Sequence, residues 1–209
     1  AALSWPHLAG SVRVLGTRLR AMGVRPGDRV ASCMPNIPQT VIAMLATTSI
    51  GAVWTSCSPD FGGRGVSDRF GPLSPKVLFC VDSYRYGGLD YDRSAEMAQI
   101  IAGLPGLEQV IHVPGPAGQA VPSARAWDEI MDHPPVPASE FEFEQVPFGH
   151  PLWVLFSSGT TGLPKAITHS HGGILLEQFK ALRLMMDLHP GERMFFFTTT
   201  GWMMWNFLA

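Results

Sequence analysis

Charge is scarce in this chain. Asp, Glu, Lys and Arg make up 15% of its 209 residues and sum to a formal −2, where an ordinary soluble domain carries roughly 25% charged residues. A near-neutral sum supplies no basic surface for nucleic acid, so nucleic-acid partners are not expected. Long apolar runs are missing as well. No stretch reaches the roughly 18 residues that a membrane-crossing helix needs. Ala1 to Pro6 carry neither the basic start nor the apolar segment of a secretory signal. Cysteine is sparse: Cys33, Cys57 and Cys80 lie far apart, with no CxxC pair of metal-ligand spacing. No zinc or other protein-held metal site is therefore expected. An odd number of cysteines inside apolar segments predicts reduced, buried thiols in a cytoplasmic protein.

What is abundant points the other way. Hydrophobic residues make up 46% of the chain, with 22 Gly and 18 Pro, too much core and too much punctuation for a disordered tail. Leu8, Val12, Leu15, Leu19 and Met22 recur at helical spacing, and Gly23 follows as a helix end. Strands are expected at Arg29 to Met34, Ala52 to Ser56, Val77 to Val81 and Gln109 to Val113. Helices are expected at Ile37 to Ile50 and, more weakly, Asp92 to Leu104. Apolar strands alternating with helices predict an α/β fold: mainly parallel sheet, flanked by helices. From Pro114 to Phe148 the pattern dissolves, apart from one helical turn at Trp127 to Met131. It resumes with a strand at Leu152 to Phe156, a second at Ala166 to His169, and a helix at Gly172 to Met186 that presents Leu175, Leu176, Phe179 and Leu182 on one face. A buried strand is expected at Met194 to Phe197. The division is thus a first α/β subdomain over 1–113, a Pro/Gly-rich excursion or boundary over 114–148, and a second α/β segment over 149–209. The final apolar run, Trp202 to Ala209, has no closing turn and reads as a chain cut inside an element.

The chemistry concentrates in Ser157-Ser158-Gly159-Thr160-Thr161-Gly162-Leu163-Pro164-Lys165. The segment begins where a buried strand ends, and ligands of parallel sheets gather at the carboxyl ends of strands. Hydroxyls and glycines leave N–H and O–H donors free to wrap an anion, and Lys165 adds a cation that can meet a phosphate. The hydroxyls can also face a Mg²⁺ that accompanies phosphates. A Walker A loop is excluded, because Lys165 follows Pro164 and precedes Ala166 rather than a Ser or Thr. His169 and His171 lack carboxylate or thiol partners at ligand spacing and read as loop or cap residues. Glu140, Glu142 and Glu144 read as a solvated face.

This loop resembles the signature loop of the adenylate-forming superfamily, which comprises acyl-CoA synthetases, peptide-synthetase adenylation domains and luciferases. Gly23 to Val30 and Leu45 to Val53 resemble further family stretches in the right order. Pro59-Asp60-Phe61-Gly62, Pro75 to Phe79, His169 to Gly173 and Thr198 to Asn206 resemble most closely the short-chain acid–thiol ligases that act on acetoacetate. The resemblance covers nearly the whole chain outside 114–148. It implies the partial N-terminal domain of an adenylate-forming enzyme that joins acetoacetate, or a similar short acid such as acetate or propionate, to CoA at the expense of ATP and with Mg²⁺. Ser157, Ser158, Gly159, Thr160, Thr161, Gly162 and Lys165 would then bind the phosphates, with Thr160, Thr161 and Lys165 acting in catalysis. Trp202 and Met203 would line the acyl pocket, and Arg85 would meet a phosphate of CoA. The family's later motifs (Tyr-Gly-x-Thr-Glu, Thr-Gly-Asp and the C-terminal catalytic lysine) are not among these residues. The resemblance therefore implies that the rest of the same enzyme is a required partner and that this chain alone does not form the thioester. The rival reading is a non-catalytic nucleotide-binding α/β module that reuses the loop.

Overall fold

Each element has a local reason. Trp5–Ala21 (α1) starts at Ser4, whose hydroxyl accepts the His7 N–H, and buries Leu15 and Leu19. It ends before Gly23, whose φ of +84° suits only glycine comfortably. There follow strand Arg29–Cys33 (β1), helix Pro38–Ser49 (α2), strand Val53–Cys57 (β2), helix Gly63–Phe70 (α3) and strand Val77–Val81 (β3). A hairpin, Ser83–Tyr86 (β4) with Leu89–Asp92 (β5), leads to helix Ser94–Ala102 (α4) and strand Gln109–Val113 (β6). Arg125–Ala126 (β7) and the short helix Trp127–Met131 (α5) come before strands Pro151–Ser157 (β8) and Lys165–Ser170 (β9). Helix His171–Phe179 (α6) runs into a π-helical turn at Lys180–Met185, and Met203–Leu208 (α7) ends the chain. The computed structural model describes residues 3–157, 162 and 164–209.

Seven strands form one sheet in the order β7-β6-β3-β1-β2-β8-β9. All neighbours are parallel except β8 and β9, so the sheet is mixed but mainly parallel. Strands from both sides of the 114–148 segment lie in it. Every residue of β2 and β3 is buried, as strands without a polar face require. One face packs Trp54 and Phe79 against α1, α2 and α5. The other packs Cys33, Cys57 and Cys80 against α3 and α4. Each large apolar side chain so buried stabilises the fold by about 1.5–3 kcal/mol. The three thiols are free and stand in one row, with Cys33 in register beside both Cys57 and Cys80. Burial pushes the Cys33 thiol up to about 12 and the other two upward as well, so thiolate is not formed there.

Two expectations fail after residue 165. Met194 to Phe197 is not a strand and is not buried: Phe195 is 88% exposed and Phe197 71%. The helix expected over Gly172 to Met186 is present, α6 continuing without interruption into the π-helical turn. Its expected apolar face is not covered, however: Leu175, Leu176 and Phe179 are exposed and Leu182 is only half-buried, while Ile174 and Ala181 are buried instead. The physical reason is common to both. Apolar patterning marks a face that needs cover, and the described residues leave Leu175, Leu176, Phe179, Phe195 and Phe197 largely in solvent.

Candidate functional site

The carboxyl ends of β1, β2, β3 and β6 open onto one edge of the sheet, and a cleft of about 840 Å³ lies there. Its floor comes from the turns that leave those strands: Pro35 and Asn36 after β1, Ser58 to Asp60 after β2, Ser83 after β3, and Pro114 to Pro116 after β6. One side is the hairpin that carries Tyr84, Arg85 and Tyr86. The other is the segment Phe195 to Thr200 with Trp202. The cleft thus occupies the edge where parallel sheets bind ligands.

The sequence-identified loop opens on the same edge. Continuing the register of Trp54 beside Trp153 puts Ser157, the last residue of β8, level with Ser58. Ser157 pairs with Lys165, the first residue of β9, so the two stems of the loop are clamped together and both are exposed. Gly162 has φ +99°, a conformation that favours glycine. Ser158, Gly159, Thr160 and Thr161 lie outside the described residues.

The structure brings Arg85 and Trp202 to opposite sides of the one cleft. Arg85 holds Asp90 in a two-pronged pair, Nε to Oδ1 at 2.6 Å and Nη2 to Oδ2 at 2.8 Å. The hydrogen bond and charge of Arg85 hold Asp90 below the usual carboxylate range, and Asp90 in turn raises Arg85. An anion arriving at Arg85 would share or displace Asp90. Trp202 is 61% exposed and caps α7. Met203, on the first turn of α7, is half exposed and is not among the described residues that line the cleft. Of the histidines, His169 lies within β9 rather than in a loop and accepts the Trp153 indole N–H at 2.9 Å. His171 opens α6, and burial followed by the nearby charge of His150 lowers its pKa. Glu140, Glu142 and Glu144 are exposed. Among the described residues, no group of three His, Cys, Asp or Glu is arranged to hold a metal ion, and no helix is long and apolar enough to cross a membrane.

Two polar networks at this edge escaped sequence reasoning. Thr200 donates through Oγ1 to the Met34 carbonyl at 2.7 Å, and its own carbonyl accepts from Ser56 Oγ at 2.7 Å. Asn206 Oδ1 accepts the Trp54 indole N–H at 3.1 Å, and the Trp205 indole N–H donates to Asn36 at 2.9 Å. Together they fix α7 to the tips of β1 and β2. The second network surrounds Asp82, which follows β3 and is fully buried. Its Oδ1 accepts from the Gly115 N–H at 2.6 Å and lies 2.9 Å from His112 Nε2. Its Oδ2 accepts from the Gln119 N–H at 3.0 Å and from Ser83 Oγ at 2.9 Å. Burial opposes ionisation, but these four hydrogen bonds outweigh it and hold the carboxyl at about 2. Neither network has a local sequence signal, because each joins residues 30 or more positions apart. The hairpin did have one: Tyr-Arg-Tyr-Gly-Gly-Leu-Asp-Tyr-Asp alternates around a Gly-Gly turn, and Gly87 and Gly88 take φ of +58° and +82°.

Comparison with known proteins gives the family and the fold. The acetoacetyl-coenzyme A synthetase of Rhizobium meliloti (strain 1021) is 46% identical over 208 residues, which cover 99% of this chain and 32% of that protein. The malonamoyl-CoA synthetase vrtB of Penicillium aethiopicum is 37% identical over 99% of this chain and 30% of its own length. The solved acetoacetyl-CoA synthetase from Streptomyces lividans superposes on the whole chain with a TM-score of 0.93 at 54% identity, again over 32% of that structure. The chain therefore spans about a third of the length of these relatives. A family described as AMP-binding enzyme matches residues 1–207, and with nearly every residue inside that match the chain belongs to the AMP-binding enzyme family.

Proposed function

We propose that this chain is part of an AMP-forming acid–thiol ligase that acts on acetoacetate. In the first step the acetoacetate carboxylate attacks the α-phosphate of ATP and pyrophosphate leaves. In the second, the CoA thiol attacks the acyl carbon of the adenylate, AMP leaves and the thioester forms. The observation that carries the reading is the 54% identity with an acetoacetyl-CoA synthetase across the whole chain, with the loop stems and the cleft on one sheet edge.

The roles follow from chemistry. Pyrophosphate leaves more readily when its charge is met by fixed donors. Ser157, Ser158, Gly159, Thr160, Thr161, Gly162 and Lys165 supply hydroxyls, amides and a cation for that. Mg²⁺ would arrive with the triphosphate as part of the substrate and face the loop hydroxyls. Arg85, on the far side of the cleft, would take a phosphate of CoA. Trp202 and Met203, as large side chains, would shorten the acyl pocket to fit a small acid. The free, buried thiols suit a reducing compartment, which supports a cytoplasmic location.

A second reading keeps the reaction and changes the acid. The similarity to a malonamoyl-CoA synthetase favours it, since malonamate and acetoacetate both carry a carbonyl β to the carboxyl. The test is acid-dependent ATP–pyrophosphate exchange by the complete protein encoded by the reading frame containing this chain. Acetoacetate is expected to give the highest kcat/KM in a panel with malonamate, acetate and propionate. Exchange with none of them would overturn the ligase reading in favour of a non-catalytic nucleotide-binding module.

A further inference from the structure

We propose that Asp82 is a positioning residue for the cleft: its carboxylate latches the Pro114–Gln119 wall onto the base of the hairpin that carries Arg85, and so sets the affinity for the nucleotide end of the thiol substrate without touching it. The inference rests on the reading of the cleft given above.

Asp82 sits at the base of the hairpin. It links β3 to β4, so its backbone is the first hinge of the hairpin, and its carbonyl accepts the Arg93 N–H at 2.7 Å, just past the hairpin's other end. One residue therefore closes the hairpin at its base. Its side chain turns to the adjoining 114–119 segment that follows β6, where one carboxylate oxygen accepts from the Gly115 N–H and the other from the Gln119 N–H. Ser83 extends the latch, donating to Asp82 and accepting the Ala117 N–H at 2.8 Å. At Gly115 the segment comes against Ser83 itself: a Cβ there would collide with the Ser83 backbone carbonyl and hydroxyl, so only glycine allows this close an approach beside the Asp82 and Ser83 hydrogen bonds. Pro114, Gly115 and Pro116 line the cleft on one side of this joint, and Tyr84, Arg85 and Tyr86 line it on the other. The latch joins the two lining segments at their base.

The chemistry requires a carboxylate. Three N–H or O–H donors and His112 converge on two oxygens. An amide offers one oxygen and one NH₂ group. In Asp82→Asn, an amide oxygen placed toward Gly115 leaves the NH₂ against the Gln119 N–H. The reverse placement leaves it against the Gly115 N–H. Either way a backbone N–H in the wall loses its acceptor, although size and shape are preserved. Ser83→Ala removes the acceptor of Ala117 and leaves Asp82 intact.

The test uses the complete enzyme with Asp82→Asn, Ser83→Ala and Arg85→Ala, and reads three quantities. The first is amide hydrogen exchange in the 114–119 segment. The second is the KM for CoA in thioester formation. The third is acetoacetate-dependent ATP–pyrophosphate exchange, which needs no CoA. The latch predicts faster hydrogen exchange at 114–119 in Asp82→Asn and, to a smaller extent, in Ser83→Ala. It also predicts a CoA KM raised roughly tenfold in Asp82→Asn, the scale of one lost hydrogen bond to a charged group, with pyrophosphate exchange changed less than twofold. Unchanged hydrogen exchange at 114–119 in Asp82→Asn overturns the latch. So does an equal loss in both half-reactions with a lowered melting temperature, which marks general destabilisation. If Arg85→Ala leaves the CoA KM unchanged while Asp82→Asn still loosens 114–119, the latch stands as a structural joint but the reading of the cleft as the thiol nucleotide site fails. The two failures are thereby told apart.

Discussion

The chain contains two kinds of apolar residue. In the sheet and its two helical layers, Trp54, Phe79, Leu15 and Ile100 are buried almost completely. Between 175 and 197, Leu175, Phe179, Phe195 and Phe197 are as apolar but stand in solvent. The first group has strands and helices on both sides. The second has no described partner in a chain that spans about a third of its relatives' length. The contrast shows that apolar patterning encodes a demand for cover, and that burial follows only where the cover is among the described residues.

The largest effect that can break this comparison is a core truncation. Phe79→Ala, which empties a fully buried site against the edge of Trp127, is expected to cost about 3–5 kcal/mol in chemical denaturation of the 209-residue chain. A cost below about 1 kcal/mol would show that the sheet core is looser than its burial implies.

Acid gives an intermediate effect. The hydrogen bonds to Asp82 lower its folded pKa from 3.8 to about 2. Stability from this group is therefore fully present above pH 4 and is lost as pH falls from about 4 through 2, on the order of 2 kcal/mol in all. Denaturation of wild type and Asp82→Asn between pH 6 and 2 should show the two curves converge as pH drops. Parallel curves would contradict the assignment.

The smallest effect belongs to the exposed group. Phe195→Ser or Phe179→Ala in the same chain is expected to change stability by less than about 0.5 kcal/mol, as surface substitutions do. In the complete protein the same substitutions sharpen the comparison. A cost of about 2 kcal/mol or more there, beside none in the shorter chain, would show that the rest of the polypeptide covers this face.

Legibility in the sequence divided along the same line. Strands such as Val77 to Val81 and helices such as α1 and α2 were readable because their residues are covered by near neighbours, so that apolar pattern and burial agree there. α3 was hidden by Gly62, Gly63 and Gly65, which weaken any helical pattern. The Phe-rich stretch at 194–197 misled because four apolar residues in a row fit a buried strand in every respect except having a sheet to join. At the site, the loop was legible because its chemistry is contiguous in sequence. The cleft's Arg85 and Trp202 were found by resemblance alone. The Asp82 latch and the Thr200 and Asn206 clamps are built from distant residues that only the sheet topology assembles.

On the proposed function, labour divides along one sheet edge, with the 157–165 loop for the triphosphate and the cleft for the thiol. The most direct measurement is ATP–pyrophosphate exchange beside CoA-dependent thioester formation in the complete protein, comparing Thr161→Val with Arg85→Ala. The account predicts that Thr161→Val loses exchange and thioester formation together, while Arg85→Ala keeps exchange and loses only affinity for CoA. If Arg85→Ala impairs exchange as well, or if Thr161→Val leaves exchange intact, the division of labour is wrong.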